Sequence, residues 1–311
     1  MAAVSVQRIA TALGTLALAG SALGLALADS GWGPWWCDWF QHPRWQYLAG
    51  ALGGGLALLL AGRRRWALAA PVLAAWALWP LWPLLAVEHR PAPGAPALAL
   101  LSANVHSGNP DPEDCVRILA AQDAAVVAVI EITPGWLPAL APLRAAYPVF
   151  RELPREDNFG IALYARGGTI ATWWPAELPA PSLELTLPDG VRLLATHPLP
   201  PLRAAELGWH HAQLAAIAAW ARAAGPRCAV IGDLNCTPWS RQFRALCRDG
   251  GLRPCGARAT IPTWLRAAWP LTLPLDHLLV GDGLALSAHQ IGPEVGSDHL
   301  PVQGLLSAQA R

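Results

Sequence analysis

The chain has 311 residues, 54% of them hydrophobic and only 14% charged, which excludes a disordered polypeptide and leaves room for one large or two average domains. Charge is unevenly placed: residues 1–90 hold 6 of the 22 basic and 3 of the 21 acidic residues, so they are net +3 and residues 91–311 are net −2. A slightly acidic C-terminal part argues against a protein that holds nucleic acid mainly by neutralising phosphates, and six Cys without paired C-x-x-C spacing mark no zinc framework.

Residues 1–90 read as a membrane region with three transmembrane helices, at about 9–28, 45–62 and 66–87. The first is uncharged, and at ~1.5 Å per residue it spans about 30 Å, the thickness of the hydrocarbon layer. Gly50 and Gly54 have the spacing that lets membrane helices approach closely. Arg63, Arg64 and Arg65 lie between the second and third stretches and belong on the cytoplasmic side, as does Arg8. The segment 29–44 and everything after Val87 then lie outside. Trp32, Trp35, Trp36 and Trp39 on one outer boundary, and Trp76, Trp79 and Trp82 on the other, read as interfacial anchors. Pro71, Pro80 and Pro83 should kink or end the third helix. Ala26-Leu27-Ala28 also resembles a signal-peptidase site; cleavage there would leave two spans and the same orientation. Residues 88–97 form a short, stiff Pro-rich linker.

Residues 91–311 read as alternating strands and helices. Buried strands are expected at Ala97–Asn104 and Ala125–Ile132, with a helix between Asp111 and Gln122 and another from Pro134 to Ala146. Short strands follow near Ile161–Tyr164, Thr169–Trp173, Leu183–Leu187 and Val191–Thr196, with Pro188-Asp189-Gly190 as a hairpin turn. A long amphipathic helix runs from Leu202 to Ala224, a further helix starts near Trp239, and further strands fall at Ala229–Ile231, Leu278–Val280 and Val302–Leu306. The pattern is that of an α/β domain of layered sheets and helices.

Polar residues recur where these apolar runs end. They are Asn104, Glu131, Thr196-His197, Asp233-Leu234-Asn235, Asp276-His277 and Ser297-Asp298-His299. Each alone has an ordinary explanation as a turn former, a helix cap or a solvated side chain. The ordered set does not, and GDLNCTPWS together with GSDHLPV resembles the endonuclease/exonuclease/phosphatase (DNase I-like) superfamily over about residues 97–308.

That resemblance implies a four-layer α-β-β-α sandwich, preceded here by the bundle of three transmembrane helices, and phosphoester hydrolysis dependent on Mg²⁺ or Mn²⁺. It implies Glu131 as a direct metal ligand, with Asn104 and Asp298 contributing oxygen directly or through water, as suits a hard cation. His299 is implied as general base, with Asp276 fixing its tautomer. Asp233 would orient the nucleophile or serve the leaving oxygen, and Asn235 and His197 would donate to the phosphate. Asn158 is a candidate substrate contact, whereas His277 reads as a supporting residue and His210 and His211 as helix residues. The strand at 160–165 ends in Tyr-Ala-Arg, where many relatives have Ser-Arg, so any role for that Ser is absent.

The combination of membrane helices, short linker and hydrolase resembles a bacterial group that includes membrane proteins associated with glycopeptide resistance. That resemblance implies a lipid-linked substrate such as undecaprenyl pyrophosphate, a lipid bilayer as partner, and an inner-membrane location with the active site extracytoplasmic. An extracytoplasmic nuclease would need the same catalytic set, and a membrane-anchored scaffold with a decayed site would need none of it. Cys247 and Cys255 have the spacing of a loop-closing disulfide.

Overall fold

The structure, a computed structural model, describes residues 2–31, 33–175, 177–264 and 270–310. Trp32, one of the expected interfacial anchors, lies outside the described residues. The chain divides into two compact units, Met1–Pro83 and Leu84–Arg311.

In the first unit, α1 (Ala2–Asp29) and α2 (Arg44–Leu60) pack closely, and α3 (Arg64–Ala67) and α4 (Ala69–Leu78) return along α2. Small residues permit this approach: a Cβ at Gly54 would lie 2.9 Å from the Gly14 carbonyl oxygen, and one at Gly50 would lie 2.6 Å from Ser21 Oγ. The bundle interior consists of Leu18, Leu25, Ala51, Leu58, Ala70, Leu73 and Ala77. Two stretches, Ser5–Asp29 and Arg64–Leu85, are long and apolar enough to cross a membrane; the middle helix, α2, has 17 residues.

The third stretch is broken where its prolines predict. Pro71 has no N–H to offer Ala67, and the helix is interrupted at Leu68. Around Pro80 and Pro83 it tightens into a 3₁₀ turn, Trp79–Leu81, before α5 (Trp82–Leu85). Residues 33–44 are also structured: a 3₁₀ helix spans Trp35–Gln41, and the Arg44 guanidinium is buried against the Asp29 carboxylate, which also accepts from Trp76 Nε1 at 2.7 Å.

The second unit holds two six-stranded sheets. The first contains β1 (Leu98–Asn104), β2 (Val126–Ile130), β3 (Val149–Leu153), β4 (Ile161–Ala165), β11 (Leu284–Ile291) and β12 (Val302–Ala308), in the order β11-β12-β1-β2-β4-β3. The second contains β5 (Thr169–Trp173), β6 (Ser182–Thr186), β7 (Arg192–Ala195), β8 (Cys228–Asp233), β9 (Leu252–Pro254) and β10 (Asp276–Gly281), in the order β5-β6-β7-β8-β10-β9. Its helices are α6 (Pro112–Ala120), α7 (Ala141–Ala146), α8 (Ala204–Ala224) and α9 (Arg241–Gly250).

Alternation along the strands builds the layers. In β2, Val126, Ala128 and Ile130 enter the core between the sheets, facing Leu193, Ile231 and Leu278 of the second sheet. Val127 and Val129 point the other way, onto Cys115, Leu119 and Leu143 of α6 and α7. In the second sheet Leu194 and Val230 point outward onto Leu214, Ile217, Phe243 and Leu246 of α8 and α9. The result is helices, sheet, sheet, helices, as a DNase I-like sandwich requires.

Several boundaries differ from the sequence reading. The helix expected over Pro134–Ala146 is a 3₁₀ turn at Pro134–Trp136 followed by α7, because Pro138 and Pro142 cannot donate to a continuous ladder. β3, β9 and β11 were not anticipated. The helix from Leu202 starts at Ala204, after a loop containing Pro198, Pro200 and Pro201. All six cysteines are free, so the Cys247–Cys255 bridge is not formed.

Candidate active site

Strand register gathers the polar ends. β1 and β2 are parallel with Asn104 opposite Ile130, so Asn104 and Glu131 emerge from the same end of the first sheet. β7 is parallel to β8, and Asp276 of β10 lies opposite Asp233 of β8, which brings His197, Asp233 and Asp276 to one end of the second. Val302 pairs with Ser102, so Asp298 and His299 arrive at that end just ahead of β12.

The side chains meet in one connected network. Asn104 Nδ2 donates to Glu131 Oε1 at 2.9 Å and to Asp233 Oδ2 at 3.1 Å, bridging the two sheets. His197 Nε2 and His299 Nε2 stand 3.5 and 3.7 Å from that same Asp233 oxygen. His299 Nδ1 donates to Asp276 Oδ2 at 2.8 Å. The Asn235 backbone N–H donates to Asp233 Oδ1 at 2.8 Å, and its side-chain amide donates to the Pro198 carbonyl at 2.9 Å. Asn158 stands at the margin, where its Oδ1 accepts from Ser107 Oγ at 2.8 Å. His277 is buried beneath the site with Nε2 on the Cys236 carbonyl, and His210 Nδ1 donates to the Leu199 carbonyl; neither joins the network.

Local backbone strain marks the same place. Glu131, His106 and Asn235 have φ of 70°, 59° and 49°, the left-handed region that residues with a Cβ seldom occupy. Glu131 is held there by its N–H to the Gly160 carbonyl at 2.8 Å.

The electrostatics are strongly coupled. Burial opposes ionisation of Asp233, but the His299 and His197 imidazoles beside it bring its carboxyl below the usual carboxylate range. Burial likewise opposes protonation of His299, yet the Asp276 and Asp233 carboxylates outweigh it and raise the imidazole to about 10. His197 is raised in the same way, chiefly against burial and by Asp233, while burial drives His277 down.

The residues fit a hard divalent cation. Glu131 Oε2 and Asp298 Oδ1 each lie 3.8 Å from His106 Nδ1, so two carboxylates from different loops flank one imidazole. Trp264 Nε1 donates to the other Asp298 oxygen at 3.0 Å, and the Ser107 N–H donates to Glu131 Oε2 at 3.2 Å, which fixes both. The Asn104 NH₂ faces Glu131, and its Oδ1 accepts the His106 N–H at 3.1 Å and keeps a second lone pair. A second grouping, Asp233, Asp276 and His299, also has metal-ligating atoms within 4.8 Å of one another. There the mutual hydrogen bond occupies His299 Nδ1 and Asp276 Oδ2, which leaves His299 Nε2, Asp276 Oδ1 and the Asp233 carboxylate as the atoms that could face a cation. Among the described residues, no Arg pairs with Glu131, Asp233, Asp276 or Asp298.

The sequence profile of the Endonuclease/Exonuclease/phosphatase family matches residues 101–299. The chain belongs to that family. No curated protein matches it. Among solved structures it is similar to an endonuclease/exonuclease/phosphatase from Beutenbergia cavernae at 18% identity and a TM-score of 0.53, over 69% of this chain and 72% of that one. It is also similar to humanized D. rerio TDP2 at 15% identity and a TM-score of 0.54, covering 68% and 98% of the two chains. The 3′ phosphatase NExo from Neisseria, bound to product DNA hairpin, aligns at 18% identity and a TM-score of 0.53, over 67% and 98%. At these identities the likeness is one of fold.

Within this family member, His106, Ser107 and Trp264 belong to the site and escaped the sequence reading. His106 and Ser107 share the loop of Asn104 and were legible only as its neighbours. Trp264 sits 12 residues before Asp276 and reaches His299 through an isolated backbone bridge that spacing does not reveal.

Proposed function

We propose that the protein is a membrane-anchored, divalent-cation-dependent phosphoesterase that acts on a lipid-linked phosphate or pyrophosphate, polyprenyl pyrophosphate being the leading substrate. The observation that carries the phosphoesterase reading is the continuous chain of contacts Glu131–Asn104–Asp233–His197/His299–Asp276 across the sheet ends. Among the described residues these four carboxylates have no guanidinium partner, and a divalent cation would offset their charge toward an anionic phosphate.

Glu131 and Asp298 would hold that cation. When bound, it neutralises phosphoryl oxygens, stabilises the departing oxygen and opposes protonation of His299. Asp276 accepts the Nδ1 proton of His299, leaving Nε2 directed into the cleft to take a proton from the attacking water. His197 donates to a phosphoryl oxygen. Asp233, fixed by Asn104 and the Asn235 N–H, aligns the water and the two imidazoles. The water oxygen bonds to phosphorus, the bond from phosphorus to the ester or anhydride oxygen breaks, and the leaving oxygen regains a proton.

The lipid-linked substrate and extracytoplasmic site rest on other support: the two long apolar helices, the Trp-rich stretches, and Arg63–Arg65 between apolar segments. The third span is α2, whose 17 residues lie at the short limit for crossing. Purified full-length protein with Mg²⁺ should release phosphate from polyprenyl pyrophosphate and leave DNA intact. Efficient DNA cleavage without phosphate release would instead identify an anchored nuclease.

A further inference from the structure

The second unit exposes several large apolar side chains, and four of them lie at one end. β5 is antiparallel to β6 with Trp173 opposite Ser182, and β6 is antiparallel to β7 with Leu183 opposite Ala195. The loop after β5, which carries Trp174, is therefore at the same end as His197. Leu202 is in the loop that follows His197, and Ile261 and Leu271 each lie two residues from the Thr263–Leu273 backbone pair, whose Thr263 Oγ1 accepts from the Asp276 N–H at 3.1 Å. Their relative exposures are 48%, 56%, 40% and 59%.

Trp174 and Leu202 sit on loops that are tied down. Trp174 has its indole N–H tied to the Leu178 carbonyl at 2.7 Å and the Arg155 guanidinium over its ring at 5.5 Å. Leu202 ends a loop stiffened by Pro198, Pro200 and Pro201. That loop is tied back where the Leu199 N–H donates to Gln213 Oε1 at 2.9 Å and the Leu199 carbonyl accepts from His210 at 2.7 Å. Arg203, next in sequence, is exposed, as suits a cation beside a headgroup layer.

The covering surface is indicated by the chain itself. Within this unit the segment from Leu84 runs along the edge of the second sheet, with His89 Nε2 donating to the Pro254 carbonyl at 2.8 Å and Arg253 donating to the Glu88 carbonyl at 3.0 Å. A Cβ at Gly256 would meet the Val87 carbonyl oxygen at 3.0 Å. Val87, where the chain enters this unit, thus lies beside Gly256, five residues before Ile261.

We infer that Trp174, Leu202, Ile261 and Leu271 form a rim around the active-site mouth that inserts into the headgroup and upper acyl region of a lipid bilayer. Each side chain gains by leaving water, the indole favours that depth, and the mouth is presented to lipid-borne phosphates. This deepens the membrane-anchored reading above and rests on it.

The test uses full-length protein in phosphatidylcholine proteoliposomes. Leu202→Cys, Leu271→Cys and, at the far end of the sheets, Asp189→Cys are labelled with bimane, with the unsubstituted protein as the blank for its native thiols. Lipids brominated on the acyl chain should quench the labels at positions 202 and 271 and leave the one at 189 bright. Equal quenching at the three positions, or none at 202 and 271, overturns the rim. In parallel, a Leu202→Ser, Ile261→Ser, Leu271→Ser triple variant should lose about tenfold or more in kcat/KM on the bilayer-borne phosphoester while keeping its turnover of soluble bis(p-nitrophenyl) phosphate. An equal loss on both esters also counts against the rim. Site-selective quenching without lipid-phosphate hydrolysis would leave the rim standing and defeat only the lipid-substrate reading.

Discussion

His299 and Asp276 stand 2.8 Å apart through Nδ1 and Oδ2, and the backbone N–H of Asp276 is itself held by Thr263 Oγ1 at 3.1 Å. The backbone that carries the carboxylate is thus held in place, and Nε2 is the nitrogen of His299 left for chemistry. His299→Ala should lower kcat by about 10²–10⁴-fold, the usual size of a lost acid–base group. Asp276→Asn should lose much of the same activity, because an amide N–H opposite Nδ1 forces the proton onto Nε2. The check is kcat of each variant on soluble and lipid esters; an Asp276→Asn enzyme as active as the parent would remove the tautomer argument.

Glu131 and Asp298 each approach His106 Nδ1 to 3.8 Å, and a divalent cation held by these carboxylates would bind the folded protein in preference to the unfolded chain. Mg²⁺ or Mn²⁺ should therefore raise the thermal midpoint of the full-length protein in detergent, by an amount equivalent to ~2.7 kcal/mol at a hundredfold excess over Kd. Chelation with EDTA should abolish activity. In Glu131→Gln the metal-induced shift should disappear while the metal-free midpoint stays near or above that of the parent. A full shift in that variant would move the cation elsewhere, the Asp233, Asp276 and His299 group being the first place to look.

Much of this site was legible because buried strands end abruptly: an apolar run followed by Asn104, Glu131 or Asp233 reveals both the strand and the group it delivers. Elements without that contrast were not legible. β3 is an edge strand carrying Arg151 and Glu152, and β11 alternates around Ser287, His289 and Gln290, so neither shows an apolar run. Trp264 is a site residue only because the chain folds back onto His299, a tertiary fact with no local signature. The free state of Cys247 and Cys255 was equally hidden, since spacing carries no information on the side-chain directions a disulfide requires.

Gly232 precedes Asp233 on β8 with φ +143°, and a Cβ there would lie 1.9 Å from the Thr196 carbonyl oxygen. The close backbone approach that positions His197 against Asp233 thus depends on the missing side chain. Gly232→Ala should destabilise the second unit by about 3 kcal/mol or more, through both clash and a disfavoured φ. Gly208→Ala on α8, where a Cβ would meet nothing within 4 Å, should be neutral or slightly stabilising. Urea unfolding of both variants, alongside activity, separates a local steric demand from a general intolerance of substitution.

His289 should contribute a pH dependence to stability. It is buried on β11, and burial first, then the His277 imidazole and the Arg258 guanidinium, lower it from 6.5 to about 4. The unfolded chain takes up a proton as pH falls through 6.5, while the folded protein refuses it until about 4, so stability declines across that window and the full penalty is present below it. The gap corresponds to about 3 kcal/mol as an order of magnitude. His289→Phe, which keeps an aromatic ring and cannot protonate, should flatten the fall in thermal midpoint between pH 6.5 and 4 relative to the parent. Parallel curves for the two proteins would assign the acid sensitivity to other groups.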